Sequence, residues 1–223
     1  MKLCACTISS DSAGGCCVRK RLPLRISQLT FFILALSCAR TARAQDTVVR
    51  FDPANTTIDF TLGATLHTVH GTFKLKSGEI HVDAATGKAS GSIVVDATTG
   101  NSDDSGRDKN MHQNVLQSAK YSEIVFSPTQ IAPVGAHTVK DALESKGTMQ
   151  LQAAGNFRLH GQDHDMTLNL AVDNDGAGRA HVTTTFPIPY VKWGLKSPNT
   201  FFLHVSDSVD LSIHASAVIT PSH

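Results

Sequence analysis

The chain has 223 residues, with 20 Lys+Arg against 19 Asp+Glu and five cysteines. The near-balance hides a split: the first 44 residues hold 7 basic and 1 acidic residue, which leaves the remainder with a net charge of −5. An acidic remainder excludes a nucleic-acid partner, whose binding rests on Lys and Arg meeting phosphates, and tight docking on an anionic membrane surface.

The first predicted element is a leader. Arg19, Lys20, Arg21 and Arg25 precede an apolar run from Ile26 to Leu36, broken only by Ser27, Gln28 and Thr30. Ala42-Arg43-Ala44 follows as a small-x-small cleavage site. This order marks a secretory signal peptide over residues 1–44, cleaved after Ala44, with a periplasmic or secreted product. The run is short of the roughly 20 residues a membrane helix needs. No stable membrane insertion is therefore expected after cleavage. An uncleaved anchor is the alternative. A lipoprotein reading through Cys38 is weaker, because Leu36 stands one position from where a lipobox wants its large residue. Residues 1–17 are long for the start of a leader and hold four cysteines, so translation is expected to begin near Val18, on a GTG codon. All five cysteines (Cys4, Cys6, Cys16, Cys17, Cys38) precede the cleavage site, and the mature chain has no thiol for a disulfide or a metal.

The mature segment, residues 45–223, is one domain by length. It reads as a succession of alternating strands. Ile58, Phe60 and Leu62 share a face, followed by Val69, Gly71 and Phe73, then Ile80 and Val82, then Ile93, Val95 and Ala97. Asp103 to Ser118 breaks the pattern. Asp103-Asp104 can cap a helix, and Met111, Val115 and Leu116 have helical spacing. Such a helix would either cross a barrel opening or be a single turn plugging the core. Ile124 and Phe126 resume the strands, and Pro133 to Lys146 reads as an exposed connection.

A long hairpin comes next. Met149, Leu151, Ala153, Gly155, Phe157 and Leu159 alternate with polar residues. A turn is expected over residues 160–165, and then Met166, Leu168, Leu170 and Val172 alternate in the same way. Twelve strand residues span roughly 40 Å, against about 5–6 residues in a usual strand. Val182, Thr184 and Phe186 form another strand. Val209, Leu211, Ile213, Ala215, Ala217 and Ile219 form the last. Turn signals lie between these runs, at Ser77-Gly78, Thr86-Gly87, Asp173 to Gly176 and Ser197 to Asn199. The pattern predicts an all-β antiparallel barrel or sandwich.

Several local runs resemble the YceI family of secreted, lipocalin-like proteins. They are Phe51-Asp52-Pro53 through Phe60, and His67-Thr68-Val69-His70-Gly71-Thr72-Phe73. Next in order are Arg107-Asp108 through Met111-His112, then Val115-Leu116 with Lys120-Tyr121-Ser122-Glu123-Ile124-Val125-Phe126. Leu159-His160-Gly161 with Met166-Thr167-Leu168 completes the set, which covers essentially the whole mature chain. Ser122 stands where the family often has Pro, and Val191-Lys192-Trp193-Gly194 replaces a frequent Arg-x-Asp-Phe-Gly. The resemblance implies an eight-stranded antiparallel lipocalin-like barrel with a short helix between strands in the first half. It also implies an elongated apolar pocket that takes an isoprenoid lipid, a polyprenyl chain or an isoprenoid quinone.

The candidate ligand-binding residues are the inward faces: Ile58, Phe60, Val69, Phe73, Ile93, Val95, Ile124, Phe126, Met149, Leu151, Phe157, Leu159, Leu168, Leu170, Phe186, Leu211 and Ile213. Such faces either line a cavity or simply pack together. Ala153, Gly155, Ala215 and Ala217 are small and leave space. Trp193, the single tryptophan, either lines the pocket mouth or seals a barrel corner.

Chemistry is not predicted. His160 and His164 are separated by a turn, His67 and His70 point to opposite faces of a strand, and His181, His204 and His214 read as outward, so no metal site is expected. Arg107-Asp108 with Asp103-Asp104 reads as a salt-bridged, solvated loop and cap rather than a catalytic carboxylate group. No Gly-x-Ser-x-Gly elbow, phosphate loop or dinucleotide fingerprint occurs. The reading is therefore a non-enzymatic carrier of an isoprenoid lipid, with no cofactor beyond that bound lipid or quinone. A homodimer is left open. The rivals are a packed stress-response or scaffold barrel that binds a protein partner, and an enzyme acting on isoprenoid lipids.

Overall fold

A computed structural model describes residues 46–65, 67–135, 137–199 and 204–221. The leader and cleavage site expected from sequence lie outside them. Eight strands follow one another: β1 (Asp46–Gly63), β2 (Thr68–Asp83), β3 (Ala89–Asn101), β4 (Glu123–Pro133), β5 (Gly147–Leu159), β6 (Gln162–Asn174), β7 (Arg179–Ile188) and β8 (Val209–Pro221). Each pairs antiparallel with the next, and β8 returns to pair with β1. The sheet is thus a closed barrel, as the resemblance implied; the alternation alone had left a sandwich open.

Alternation sets which side faces in. Along β5, Met149, Leu151, Ala153, Phe157 and Leu159 are buried while Thr148, Gln150, Gln152 and Arg158 are exposed. β6 pairs with it over its whole length, from Gly147↔Asn174 to Leu159↔Gln162. The turn between them is only His160-Gly161. Both residues have positive φ, 53° and 75°, the geometry of a tight hairpin whose twist matches its strands. The six-residue turn expected from sequence is therefore corrected. Gln162 to Asp165 belong to β6, and their polarity hid a strand whose top end is solvated on one side.

Two short helices close the two ends. At the upper end, between β3 and β4, α1 (Ser105–Asn110) runs into a π-helical turn over Met111–Val115. Asp104 caps α1 by accepting from the Arg107 backbone N–H at 2.8 Å. His112 ties this segment down, bonding the Gly100 carbonyl at 2.8 Å and the Ser118 hydroxyl at 2.9 Å.

At the lower end, α2 (Val139–Glu144) lies where sequence suggested an exposed connection. Thr138 and Asp141 form its capping box, and Val139 and Ala142 are buried. Asn174 at the foot of β6 donates to the carbonyls of Ala142 and Leu143 at 3.1 and 3.0 Å, holding the helix in place. Val139, Ala142 and the partly buried Leu143 pack inward, but a helix of six residues is too short for that spacing to repeat and show as a helical periodicity.

The ladders are uneven. β6 and β7 pair over four residues only, Ala171↔Thr183 to Asn174↔Ala180. Above that stretch Trp193, from the β7–β8 connection, stacks on His164 of β6 with ring centroids 4.0 Å apart and planes 6° from parallel.

An apolar lumen with a polar rim

The strand faces enclose two apolar cavities. The outer one has a volume of about 420 Å³ and reaches the upper loops. The inner one, about 110 Å³, sits deeper and has an almost wholly apolar wall. All of the predicted ligand-binding residues line one or both cavities except Met149, Leu151 and Trp193. Met149 and Leu151 are buried in the packed core, on the half of β5 that leads up from α2. Trp193 packs on Phe157 and His164, behind the outer cavity's wall.

The small residues divide. Ala153 and Ala215 line the inner cavity. Gly155 does not leave room there. A Cβ on it would stand 2.3 Å from the Ser127 carbonyl oxygen, so this glycine permits close approach of β4 at its bulge. Ala217 is buried outside both cavities.

The loops contribute much of the outer wall, and sequence reasoning missed most of this contribution. Met111, Val115 and Leu116 line it from the helical segment, their spacing having signalled only a helix. Ile188, Tyr190 and Leu195 line it from the end of β7 and the turns beyond. Tyr190 donates its hydroxyl to the Ser206 carbonyl at 2.7 Å. Burial pushes its pKa up, which keeps the proton on that donor. Leu62 was legible, since it shares a face with Ile58 and Phe60.

The polar lining is confined to one end. His67, Ser102, Arg107 and Asn110 all belong to connections above the strands. The Arg107 Nε donates to the Ser102 hydroxyl and its Nη2 to the Ser102 carbonyl, both at 2.7 Å. The expected salt-bridged loop is corrected here. Among the described residues no carboxylate lies within ion-pair distance of Arg107, because buried Ser102 claims one side of the guanidinium. Asp108 instead accepts from the Ser102 N–H at 2.9 Å. The rest of the fork remains available at the cavity rim. Among the described residues no Asp or Glu lines either cavity.

The histidines do not converge. His70, His181, His204 and His214 are exposed. His160, half-buried at the hairpin turn, lies against Tyr121 with ring centroids 4.2 Å apart. Burial, and then the charge of Lys120, lower its pKa. Among the described residues no three His, Cys, Asp or Glu side chains cluster as metal ligands would.

Fold and site define a closed antiparallel barrel with an apolar lumen and polar groups at one rim, a lipocalin-like architecture. A family model for the YceI-like domain matches residues 50–217, and the chain belongs to that family. No curated protein sequence matches it. Among solved structures it resembles a polyisoprenoid binding domain from Saccharophagus degradans implicated in plant cell wall breakdown. The TM-score is 0.60 at 18% identity, over 76% of this chain and 97% of that one. It also resembles BcnA of Burkholderia cenocepacia, with a TM-score of 0.59 at 16% identity, over 75% of this chain and 99% of that one. At such identities the likeness shows the fold.

Proposed function

We propose that the protein is a non-enzymatic carrier that holds an isoprenoid lipid, a polyprenyl chain or an isoprenoid quinone, in its barrel lumen. The observation that carries this reading is the cavity of about 420 Å³, apolar along the strands and polar only at the loop rim. A prenyl tail needs such a wall. Each buried CH₂ contributes about 0.8 kcal/mol, so a tail of some fifteen carbons contributes on the order of 10 kcal/mol with few polar contacts. A head group needs a few placed donors at one end, and Arg107, Asn110 and His67 supply them, while Ser102, whose hydroxyl and N–H donate to Asp108, positions Arg107. The likeness to a structure described as polyisoprenoid binding supports the ligand class.

The leader pattern and the acidic mature segment support a periplasmic or secreted carrier. Among the described residues no helix is long and apolar enough to cross a membrane. The absence of a carboxylate from both linings favours carriage over acid–base chemistry on the lipid.

The test is native mass spectrometry with lipid extraction on the mature chain made in a bacterial host. A co-purifying isoprenoid is expected. Clean organic extracts from several preparations would overturn the reading.

A further inference from the structure

Among the described residues four line both cavities: Phe73 of β2, Ile124 of β4, Phe157 of β5 and Leu211 of β8. Their places in the barrel are not random. β2 and β8 flank β1, while β4 and β5 are neighbours on the far side of the closed sheet. The four therefore flank the lumen as two pairs on opposite sides, where the outer and inner chambers adjoin, and form a waist between them.

The waist is braced from behind. Phe73 packs on Phe60 with ring centroids 5.4 Å apart, and Phe157 packs on Phe186 at 6.3 Å. Glycine supplies the seat for Phe73. A Cβ at Gly100 would come within 2.7 Å of the Phe73 ring and 2.8 Å of the Met111 methyl. The ring lies back against bare backbone, and any larger residue there would press it forward into the lumen.

The chamber volumes set a scale. A dry apolar cavity of about 150 Å³ takes one benzene, so about 420 Å³ takes roughly 17 carbons and about 110 Å³ roughly 4. These correspond to about three isoprene units outside the waist and about one inside it.

We propose that the Phe73–Ile124–Phe157–Leu211 waist is a tail-length checkpoint, and that the protein gains affinity from about four isoprene units and no more. Three units fill the outer chamber. The fourth enters the inner chamber only by parting the two pairs, and units beyond it find no further apolar space. This rests on the lipid-carrier reading and names the ligand's size within it.

The experiment is displacement of a fluorescent apolar dye from the mature chain by geraniol, farnesol, geranylgeraniol and solanesol. They carry two, three, four and nine units. Each methylene newly buried raises affinity about fourfold. Affinity should therefore climb more than tenfold from geraniol to farnesol, climb again less steeply to geranylgeraniol, and be flat within threefold to solanesol.

Phe73→Ala, or Phe73→Leu if the first variant does not fold, opens the waist. It should steepen the step from farnesol to geranylgeraniol. Gly100→Ala pushes the ring inward and should abolish that step, so that farnesol and geranylgeraniol bind within threefold of each other. A wild-type affinity that keeps climbing to solanesol overturns the proposal. So do folded variants with unchanged profiles. If none of the four alcohols displaces the dye, the carrier reading itself fails, and the length checkpoint falls with it.

Discussion

Asn174→Ala should destabilise the barrel by about 3 kcal/mol. Asn174 is 2% exposed. Its side chain makes three hydrogen bonds: Nδ2 donates to the Ala142 and Leu143 carbonyls, and Oδ1 accepts from the Gly176 N–H at 2.8 Å. Each such bond is worth about 1 kcal/mol net, and more where the abandoned partner stays buried. For a domain of this size 1 kcal/mol moves Tm by roughly 2–4 °C, so a fall of about 6–12 °C is expected. Thermal unfolding of the mature chain, followed by far-ultraviolet circular dichroism, reads it directly. Asn174→Asp keeps the acceptor but turns a carboxylate toward two carbonyls, and should fall at least as far. Asn169→Ala is the control. Its exposed side chain only accepts from Gln152 at 3.1 Å, and loss of that bond should leave Tm nearly unchanged. An Asn174→Ala midpoint within about 2 °C of wild type would refute the claim that this residue anchors the lower cap.

Arg107→Met should leave farnesol binding within twofold but weaken farnesyl phosphate about tenfold, since a charge-assisted hydrogen bond contributes roughly 1.5–3 kcal/mol; equal effects on both ligands in a displacement assay would remove Arg107 from head-group recognition. His160 supplies a pH dependence. Burial lowers its folded pKa below the ordinary 6.5, so the unfolded chain binds the proton more readily. Its contribution to stability is complete above about 6.5 and is lost as pH falls from there toward the folded pKa. Urea midpoints measured one unit above and one unit below 6.5 should drop more for wild type than for His160→Asn, a residue that tolerates the positive φ. Parallel drops would show that the imidazole is not linked to folding. The carboxylates with lowered pKa, such as Asp104 and Asp163, act below 3.8 and stay out of that window.

What the sequence made legible follows from period two. Where one face is dry and the other wet, as from Met149 to Leu159, the inward set is written into the order of residues and survives in the barrel. Fifteen of the predicted lining residues reach a cavity for this reason. The failures have equally local causes. α2 turns Val139, Ala142 and Leu143 inward but is too short for that spacing to repeat, and its capping box uses Asp141 where the common signature has Glu or Gln, so nothing stood out from a polar connection. Gly155 looked like spare volume because a missing side chain reads the same whether it makes room for a ligand or for a neighbouring strand. Arg107 looked like one arm of a salt bridge because Asp104 and Asp108 are adjacent in sequence. Its partner is Ser102, five residues back and turned inward by the end of β3.

Hollowness is the property that alternation cannot encode. Met149 and Phe157 stand on the same face of the same strand, both at less than a tenth exposure. One is packed into the lower core and the other borders open volume. The difference lies in what opposes them. The foot of the lumen is filled by α2, and by Val82, Val172 and Ile219 from three strands, all in one packed cluster. The upper half is met by loops, whose Met111, Tyr190 and Leu195 stand back as walls and do not fill it. A barrel of eight strands can be solid or can hold one ligand, and this chain is solid below and hollow above. The connections decide which, and the waist residues mark where the wide outer chamber gives way to the narrow inner one, above the packed foot of the barrel. Selection of ligand length is therefore a property of the junction between strand packing and loop packing, and it should respond to Gly100 and Phe73 well before it responds to any residue of the lower core.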